Sequence, residues 1–386
     1  MGVNVNPGNT GFRRIAGEKY VDKTMLIDLM NQRIDTDDSL VCISRPRRFG
    51  KSYAAKMLCA YYDCSCDSHG LFDNKKISGV PSYKEHLNKY NVISLDITSY
   101  ISDAVSDGIP LIKVPKMIKN KILKELVKLD PSVEDENVND AIAKYVENTG
   151  RKFIFIIDEW DALIREAKKD PETQKSYLNL LRGWFKNNDF TPYNVAAAYM
   201  TGILPIKKDG SQSAVSDFKE YTILYPEKFA DFTGFSEAEV SELCSVKSLD
   251  YDEVKEWYDG YDFPGVGAIY NPYSVMCALE SGKCRSYWGK TSAVESLTTY
   301  INMNFDGLQE KIARLAAGEC LRVDVDSFQN DFETFGNADD VLTLLIHLGY
   351  LTYDEDTGTA HIPNKQAYSK FEEALKEQIS SILERA

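Results

Sequence analysis

Residues 40–52 read LVCISRPRRFGKS: five apolar-patterned residues suited to a buried strand, a basic turn, then Gly50-Lys51-Ser52 at the entrance to a helix ending near Asp63. A loop that cradles phosphates needs backbone N–H groups wrapped around the anion, a lysine for the β/γ oxygens and a hydroxyl for Mg²⁺. Gly50, Lys51 and Ser52 supply the second half of that pattern, and the helix that starts here aims its positive end at the same point. The first glycine of G-x-x-x-x-G-K-[ST] is missing, because Arg45 stands in its place. Contacts from Arg45, Arg47 and Arg48 to phosphate would compensate. An ordinary basic strand-to-helix turn explains the same residues.

A second stretch weighs against the ordinary turn. Phe153–Ile157 (FIFII) is an apolar strand that runs straight into Asp158 and Glu159. Nucleotide hydrolysis needs one carboxylate near the metal and one to orient and deprotonate the attacking water. In that scheme Asp158 serves the metal and Glu159 the water; the alternative is a strand end whose acids cap the next helix, a role that suits Asp161. A third strand, Val195–Met200, ends in Thr201-Gly202, where the hydroxyl would sense a γ-phosphate or simply pack. The first two motifs, in this order and both at strand ends, point to nucleotide binding.

The rest of the chain bounds the reading. At about 150 residues per domain, 386 residues make two or three domains. The 59 acidic residues outnumber the 45 basic ones, for a formal charge of −14. Such a chain has no global field drawing it to nucleic acid or an anionic membrane, so any DNA contact needs a local basic patch. The longest apolar runs, Phe153–Ile157 and Leu342–Ile346, are far too short to span a membrane. The N-terminal MGVNVNPGNTGF has no apolar core of a signal peptide, which places the expected location in the cytoplasm. Cys42, Cys59, Cys244, Cys277 and Cys320 sit in apolar-patterned stretches as packing thiols; Cys64 and Cys66 have no second pair to complete a zinc site, and the four histidines are scattered.

Alternating apolar runs and helical stretches over the first ~230 residues predict an α/β fold with a largely parallel sheet. Its strands fall at Leu40–Ser44, Val92–Ile97, Phe153–Ile157 and Val195–Thr201, with a weaker fifth at Tyr221–Leu224. Helix is expected over Ile109–Asn148, with a break at Asp130-Pro131. Ser236 and Glu239 form a capping-box pattern, after which helices and aromatic turns alternate to about Ala317. Asp339–Leu348, Gly349 and a hairpin turning near Asp356-Thr357-Gly358 resemble the end of a winged helix. Asp339, Asp340, Asp354, Glu355 and Asp356 make it acidic, which favours a packing or lid module over a DNA reader.

SRPRRFGKS, KYVDKT (residues 19–24), IDEWD (157–161), TGILPI (201–206), GFSEAEV (234–240), WYDGYDF (257–263), YNPYSV (270–275), HLGYLT (347–352) and IPNK (362–365) together resemble the bacterial AAA-ATPase-like family. Arginine in place of the first glycine belongs to that family's own pattern. The resemblance implies an α/β P-loop NTPase core with a parallel sheet (1–232), a helical lid (233–335) and a winged-helix-like module with a C-terminal helix (336–386). It implies Mg²⁺-dependent ATP binding and hydrolysis; ATP over GTP rests on it alone. Arg45, Pro46, Arg47, Arg48, Phe49, Gly50, Lys51, Ser52 and Tyr53 would line the nucleotide. Ser52 and Asp158 would hold the metal, Glu159 would activate water and Thr201 would sense the γ-phosphate. Arg182 is a candidate arginine finger, with a surface salt bridge as its plainer role.

Many members carry a C-terminal nuclease of the PD-(D/E)XK superfamily. This chain stops about twenty residues after IPNK, where a nuclease would begin, so no nuclease activity is expected of these residues. The chain is either truncated or a natural member that keeps only the ATPase part, with a nuclease domain or partner protein as a possible effector. Glu253-Val254-Lys255 has a nuclease-like spacing but sits in a helical pattern. A nucleotide-dependent switch or an adaptor with little turnover is the alternative function, and oligomerisation is left open. The aromatic turn 257–263, with Asn271-Pro272-Tyr273, suits packing of helix corners better than ligand binding. Tyr20, Asp22 and Lys23 either approach the adenine or build a helix entry.

Overall fold

The structure is a computed structural model. It describes residues 2–17, 20–133, 137–206, 208–209, 212–213, 215, 217–263, 265–289, 297–303, 305, 307–328 and 335–385, with side chains omitted for 207–214 and 377–386. Contacts divide the chain into two compact units, Met1–Ser44 with Lys51–Tyr221 and Arg45–Gly50 with Thr222–Ala386.

The first unit is built on five parallel strands: β1 (Leu40–Ser44), β2 (Asn91–Asp96), β3 (Phe153–Asp158), β4 (Val195–Gly202) and β5 (Lys219–Tyr221). Their order across the sheet is β2-β3-β4-β1-β5, so the chain leaves β1 for the far edge and returns strand by strand. The central strands are apolar throughout because both faces are covered. Phe153, Phe155, Ile157, Ala198 and Met200 join one core with Tyr100, Ile118, Ile142, Leu181 and Trp184. The alternate residues Ile154, Ile156, Ala197 and Tyr199 are equally buried. Helix α1 (Lys51–Tyr62) packs on β2, β3 and β4, and eight of its side chains from Ala54 to Tyr62 apart from Lys56 are buried.

Further helices of this unit include α2 (Ile97–Ser106), α3 (Val114–Leu129), α4 (Val138–Thr149), α5 (Ala162–Glu166) and α6 (Pro171–Phe185). The expected break falls at Asp130, which is extended before Pro131. One strand boundary is corrected. β5 occupies Lys219–Tyr221 rather than Tyr221–Leu224, because the Thr222 hydroxyl accepts the amides of Leu224 and Tyr225 and turns the chain. Asp22 accepts from the amide and hydroxyl of Thr24 and from the Lys76 amide, which is the helix-entry role.

The second unit holds two small antiparallel sheets. The first, in order β6-β8-β7, comprises β6 (Phe235–Ser236), β7 (Tyr261–Phe263) and β8 (Gly267–Tyr270). Around it lie α7 (Glu237–Lys247), α8 (Tyr251–Tyr258) and α9 (Pro272–Ser281). The capping box at the head of α7 is complete, with Ser236 and Glu239 bonded reciprocally. Glu253–Lys255 lies within α8, where Lys255 pairs with Glu237 at 3.0 Å. The aromatic turn is a packing element: Tyr258 and Tyr261 are buried and donate to the carbonyls of Arg285 and Gly349. The helical stretch expected to about Ala317 includes residues 264, 290–296, 304 and 306, which lie outside the described residues.

Helix α10 (Leu308–Ala316) precedes the second sheet, in order β9-β11-β10, from β9 (Leu321–Arg322), β10 (Thr352–Asp354) and β11 (Thr359–His361). Helix α11 (Ala338–Leu348), a left-handed Gly349 and the β10–β11 hairpin follow as expected, and α12 (Lys365–Arg385) closes the chain. Three of the acids here have structural contacts. Asp339 pairs with Lys311, Asp340 accepts from Ser327 and Gly336, and Asp354 caps the hairpin turn. Among the described residues no helix is long and apolar enough to cross a membrane. All eight cysteines are free thiols; Cys320 is exposed and Cys277 half-buried, against the expectation that both pack in the interior.

His347, on α11, is 2% exposed and stacks on Phe328. Burial pushes its imidazole down to about 3. The unfolded chain therefore takes up a proton below about pH 6.5 that the folded chain refuses, so stability rises with pH across that window. Between about pH 3 and pH 6.5 this group alone removes about 1.4 kcal/mol for each unit that the pH falls. Urea unfolding at pH 7 and pH 5 should show that slope, and His347→Phe should flatten it. An identical slope in the variant would contradict the assignment.

Candidate functional site

The strand registers bring the polar residues to one level at the carboxyl edge of the first unit's sheet. Ile43 lies beside Thr201, Ser44 beside Gly202, Ile157 beside Met200 and Asp96 beside Asp158. Lys51 opens α1 on the same unit. Open parallel sheets place their ligands outside the carboxyl ends of their strands.

A chain of charges runs through this edge. Lys51 Nζ lies 3.7 Å from Glu159 Oε1, and Arg165 Nη2 lies 2.7 Å from Glu159 Oε2. The same guanidinium reaches Asp161 Oδ2 through Nε at 3.0 Å. Asp161, with no solvent exposure, also accepts the amides of Ile203 at 3.2 Å and Leu204 at 3.0 Å. Thr201 Oγ1 donates to Asp158 Oδ1 and stands 3.4 Å from the Glu159 amide. Burial is the largest influence on both partners of the lysine pair. It pulls Lys51 below an ordinary lysine and pushes Glu159 above an ordinary glutamate, while Lys51 draws Glu159 back down.

The backbone holds this arrangement under strain. Glu159 is left-handed, at φ 52°, a region costly for a residue with a Cβ. The turn it makes lets the Trp160 amide donate to Thr201 O at 2.8 Å and the Ala162 amide return to Glu159 O at 2.9 Å. On β4, a Cβ at Gly202 would stand 2.6 Å from Trp160 Nε1 and 2.9 Å from Asp161 Oδ1. Only glycine fits there.

The structure thus brings Lys51, Asp158, Glu159 and Thr201 together, with Ser52 next on α1 and Tyr53 exposed behind it. Residues 45–50 of the loop belong to the second unit. Arg45 is fully buried with its guanidinium over Phe263 at 5.2 Å. Arg48, left-handed at φ 72°, lies 4.2 Å over Tyr273 and donates to Tyr287 O. Phe49 meets Tyr261 edge-on, the Arg47 carbonyl accepts from Asn271, and a Cβ at Gly349 would strike Pro46. The side chains of Arg45, Arg48 and Phe49 are engaged by aromatic residues of the second unit. The glycine Gly50 is left-handed at φ 86°.

Arg182 lies on α6, half-buried, and donates to Asn179 Oδ1 one turn earlier. The arginine that reaches Glu159 is Arg165, which the sequence reading missed. Its signal was the Asp161–Arg165 spacing of four, indistinguishable from an ordinary exposed helix pair. Asp161 occupies the N-cap position of α5 but its side chain makes no cap bond. The capping role expected of it is corrected: its carboxylate is used by β4's end and Arg165. Among the described residues no group of three or more His, Cys, Asp or Glu side chains is arranged to hold a metal ion.

A family model described as Predicted AAA-ATPase matches residues 8–211, more than half of the chain. An uncharacterised protein from the vnfD 5′ region of Azotobacter chroococcum mcd 1 is 25% identical over 207 residues, 53% of this chain and 37% of that protein. Solved structures similar to the chain include the Walker-type ATPase Paby2304 of Pyrococcus abyssi, 14% identical with a TM-score of 0.40, covering 91% of this chain and 94% of that one. Another is the ORC2 protein of Aeropyrum pernix with ADPNP and ADP, 12% identical with a TM-score of 0.42, covering 96% and 98%.

Asp161→Ala should cost about 3–5 kcal/mol, because it strands a half-paired guanidinium and two buried amides. Chemical denaturation of the variant reads this directly. A loss under about 1 kcal/mol would mean that the carboxylate does not organise the sheet edge.

Proposed function

The chain belongs to the predicted AAA-ATPase family, and we propose that its first unit binds ATP with Mg²⁺ and hydrolyses it. The observation that carries this reading is the convergence of Lys51, Asp158, Glu159 and Thr201 at one sheet edge, with Lys51 3.7 Å from Glu159. A buried lysine at a helix entrance is a phosphate ligand in waiting: its present counter-charge is a carboxylate, and a phosphate oxygen can take that place.

Ser52 and Asp158 would hold the metal. A hydroxyl and a carboxylate are the hard oxygen donors that Mg²⁺ accepts while keeping several waters. Asp158 turns Oδ1 to the Thr201 hydroxyl, which leaves Oδ2 for a further partner. When bound, the ion neutralises charge on the phosphates. Glu159 takes the proton of the attacking water as its oxygen bonds to the γ-phosphorus, and the β–γ bridge oxygen leaves with the electron pair of the broken bond. Thr201, tied to Asp158, fixes the orientation of that carboxylate. Coupling to a nuclease or another effector, and a cytoplasmic location, belong to the same proposal.

One observation favours a second reading. Both oxygens of Glu159 face cations, so neither can take a proton from water until one of the two ion pairs opens. A switch that binds nucleotide and turns over slowly would keep it so.

Calorimetry with Mg·ATP should give micromolar binding that Lys51→Ala abolishes. Glu159→Gln should keep the affinity within about threefold and lower turnover by 10²-fold or more. Binding unaffected by Lys51→Ala would overturn the site. Turnover unaffected by Glu159→Gln would remove the base from it.

A further inference from the structure

We propose that Arg165 is the positioning residue for Glu159: it holds one carboxylate oxygen so that the other faces the phosphate lysine and is released for base duty when nucleotide draws Lys51 away. This rests on the reading of Glu159 as the group that accepts the proton of water. It goes beyond that reading by assigning an arginine to the site, and by making the Lys51–Glu159 pair a substrate-gated latch.

The geometry distinguishes the two oxygens. Oε2 is bound by Arg165 Nη2 at 2.7 Å, a charge-assisted hydrogen bond, whereas Oε1 is only 3.7 Å from Lys51 Nζ, an ion pair beyond hydrogen-bond reach. The Arg165 fork is itself fixed, because its Nε is spent on Asp161 at 3.0 Å and Asp161 is bound to two β4-edge amides. The Arg165 side chain is 12% exposed and that of Glu159 is 20% exposed, so neither is a free surface rotor. The anchor therefore passes from the sheet edge, through Asp161 and Arg165, to Oε2. The weaker pair, at Oε1, is the one a phosphate can break.

Two alternatives assign less to Arg165. As a structural ion pair alone, it would stabilise the turn and leave chemistry untouched. As a ligand of the phosphates, its loss would weaken nucleotide binding. The positioning role predicts neither of these results. It predicts lost turnover at preserved affinity, and only while Glu159 is present to be positioned.

The test is a set of variants of the full chain: Arg165→Ala, Arg165→Lys, Glu159→Gln, and Glu159→Gln with Arg165→Ala. Each is measured for melting temperature, for the Kd of Mg·ATPγS and for kcat of ATP hydrolysis. Arg165→Ala should lower kcat about tenfold or more with Kd changed by less than about threefold. Arg165→Lys, which keeps the charge but not the fork, should recover part of the loss. Adding Arg165→Ala to Glu159→Gln should change kcat by less than about twofold, since residues acting through one another are not additive. An equal fall in both backgrounds would overturn the proposal in favour of a structural role. A rise in Kd of tenfold or more would overturn it in favour of phosphate contact, and an unchanged kcat in Arg165→Ala would refute it outright. Full turnover by Glu159→Gln would remove the premise as well, whereas a Glu159→Gln loss beside an intact Arg165→Ala would sink only the positioning role. Should Arg165→Ala melt too low to assay, Arg165→Lys decides by the same criteria.

Discussion

The carboxylate of Asp161 has no exposure to water, and the arrangement of the sheet's carboxyl edge depends on it. A buried carboxylate is tolerated only where hydrogen bonds and an opposite charge replace its hydration. Two amides beyond β4 and the Arg165 guanidinium meet that demand at Oδ2, while Oδ1 is buried without a hydrogen-bond partner. Meeting it fixes three things at once: the path of the chain after β4, the orientation of Arg165, and through Arg165 one oxygen of Glu159. The left-handed turn at Glu159 and the forced glycine at position 202 are what the surrounding backbone gives up to fit that group.

From this constraint the chemistry follows in sequence. Lys51, buried at the entrance of its helix, needs a counter-charge and takes Glu159 as one. Asp158 is oriented by Thr201, from the neighbouring strand. The site in this state is a set of groups satisfied by one another, with its weakest link at the lysine pair. An arriving polyphosphate would replace a protein carboxylate with a better-matched anion for Lys51. The loop between β1 and α1 follows a different logic, since Arg45, Arg48 and Phe49 are held by aromatic rings of the second unit.

Much of the fold was legible because it rests on local rules. The strands β1, β3 and β4 are continuous apolar runs bounded by turns, and the capping box at Ser236 needs only residues three apart. The Asp130-Pro131 break follows from the proline itself. Asp158, Glu159 and Thr201 were legible as residues at strand ends, and Lys51 as the residue at a helix entrance. What failed depends on tertiary context. Asp161 and Arg165 have the spacing of any helix-surface pair, and only the fold reveals that the acid is sealed beneath β4. Arg45 and Arg48 carry charge that suits a phosphate, yet they meet rings more than two hundred residues away in sequence. β5 ends early because Thr222 captures two amides, a bond that hydrophobic patterning cannot register.

The most direct measurement is a crystal structure of the chain with Mg²⁺ and a non-hydrolysable ATP analogue. The account predicts the triphosphate at the carboxyl edge of β1, β3 and β4, with Lys51 Nζ on its β or γ oxygens. It further predicts that the Lys51–Glu159 pair is opened and the Arg165–Glu159 contact kept. A nucleotide bound elsewhere, or one bound while Lys51 still faces Glu159 at its present 3.7 Å, would contradict it.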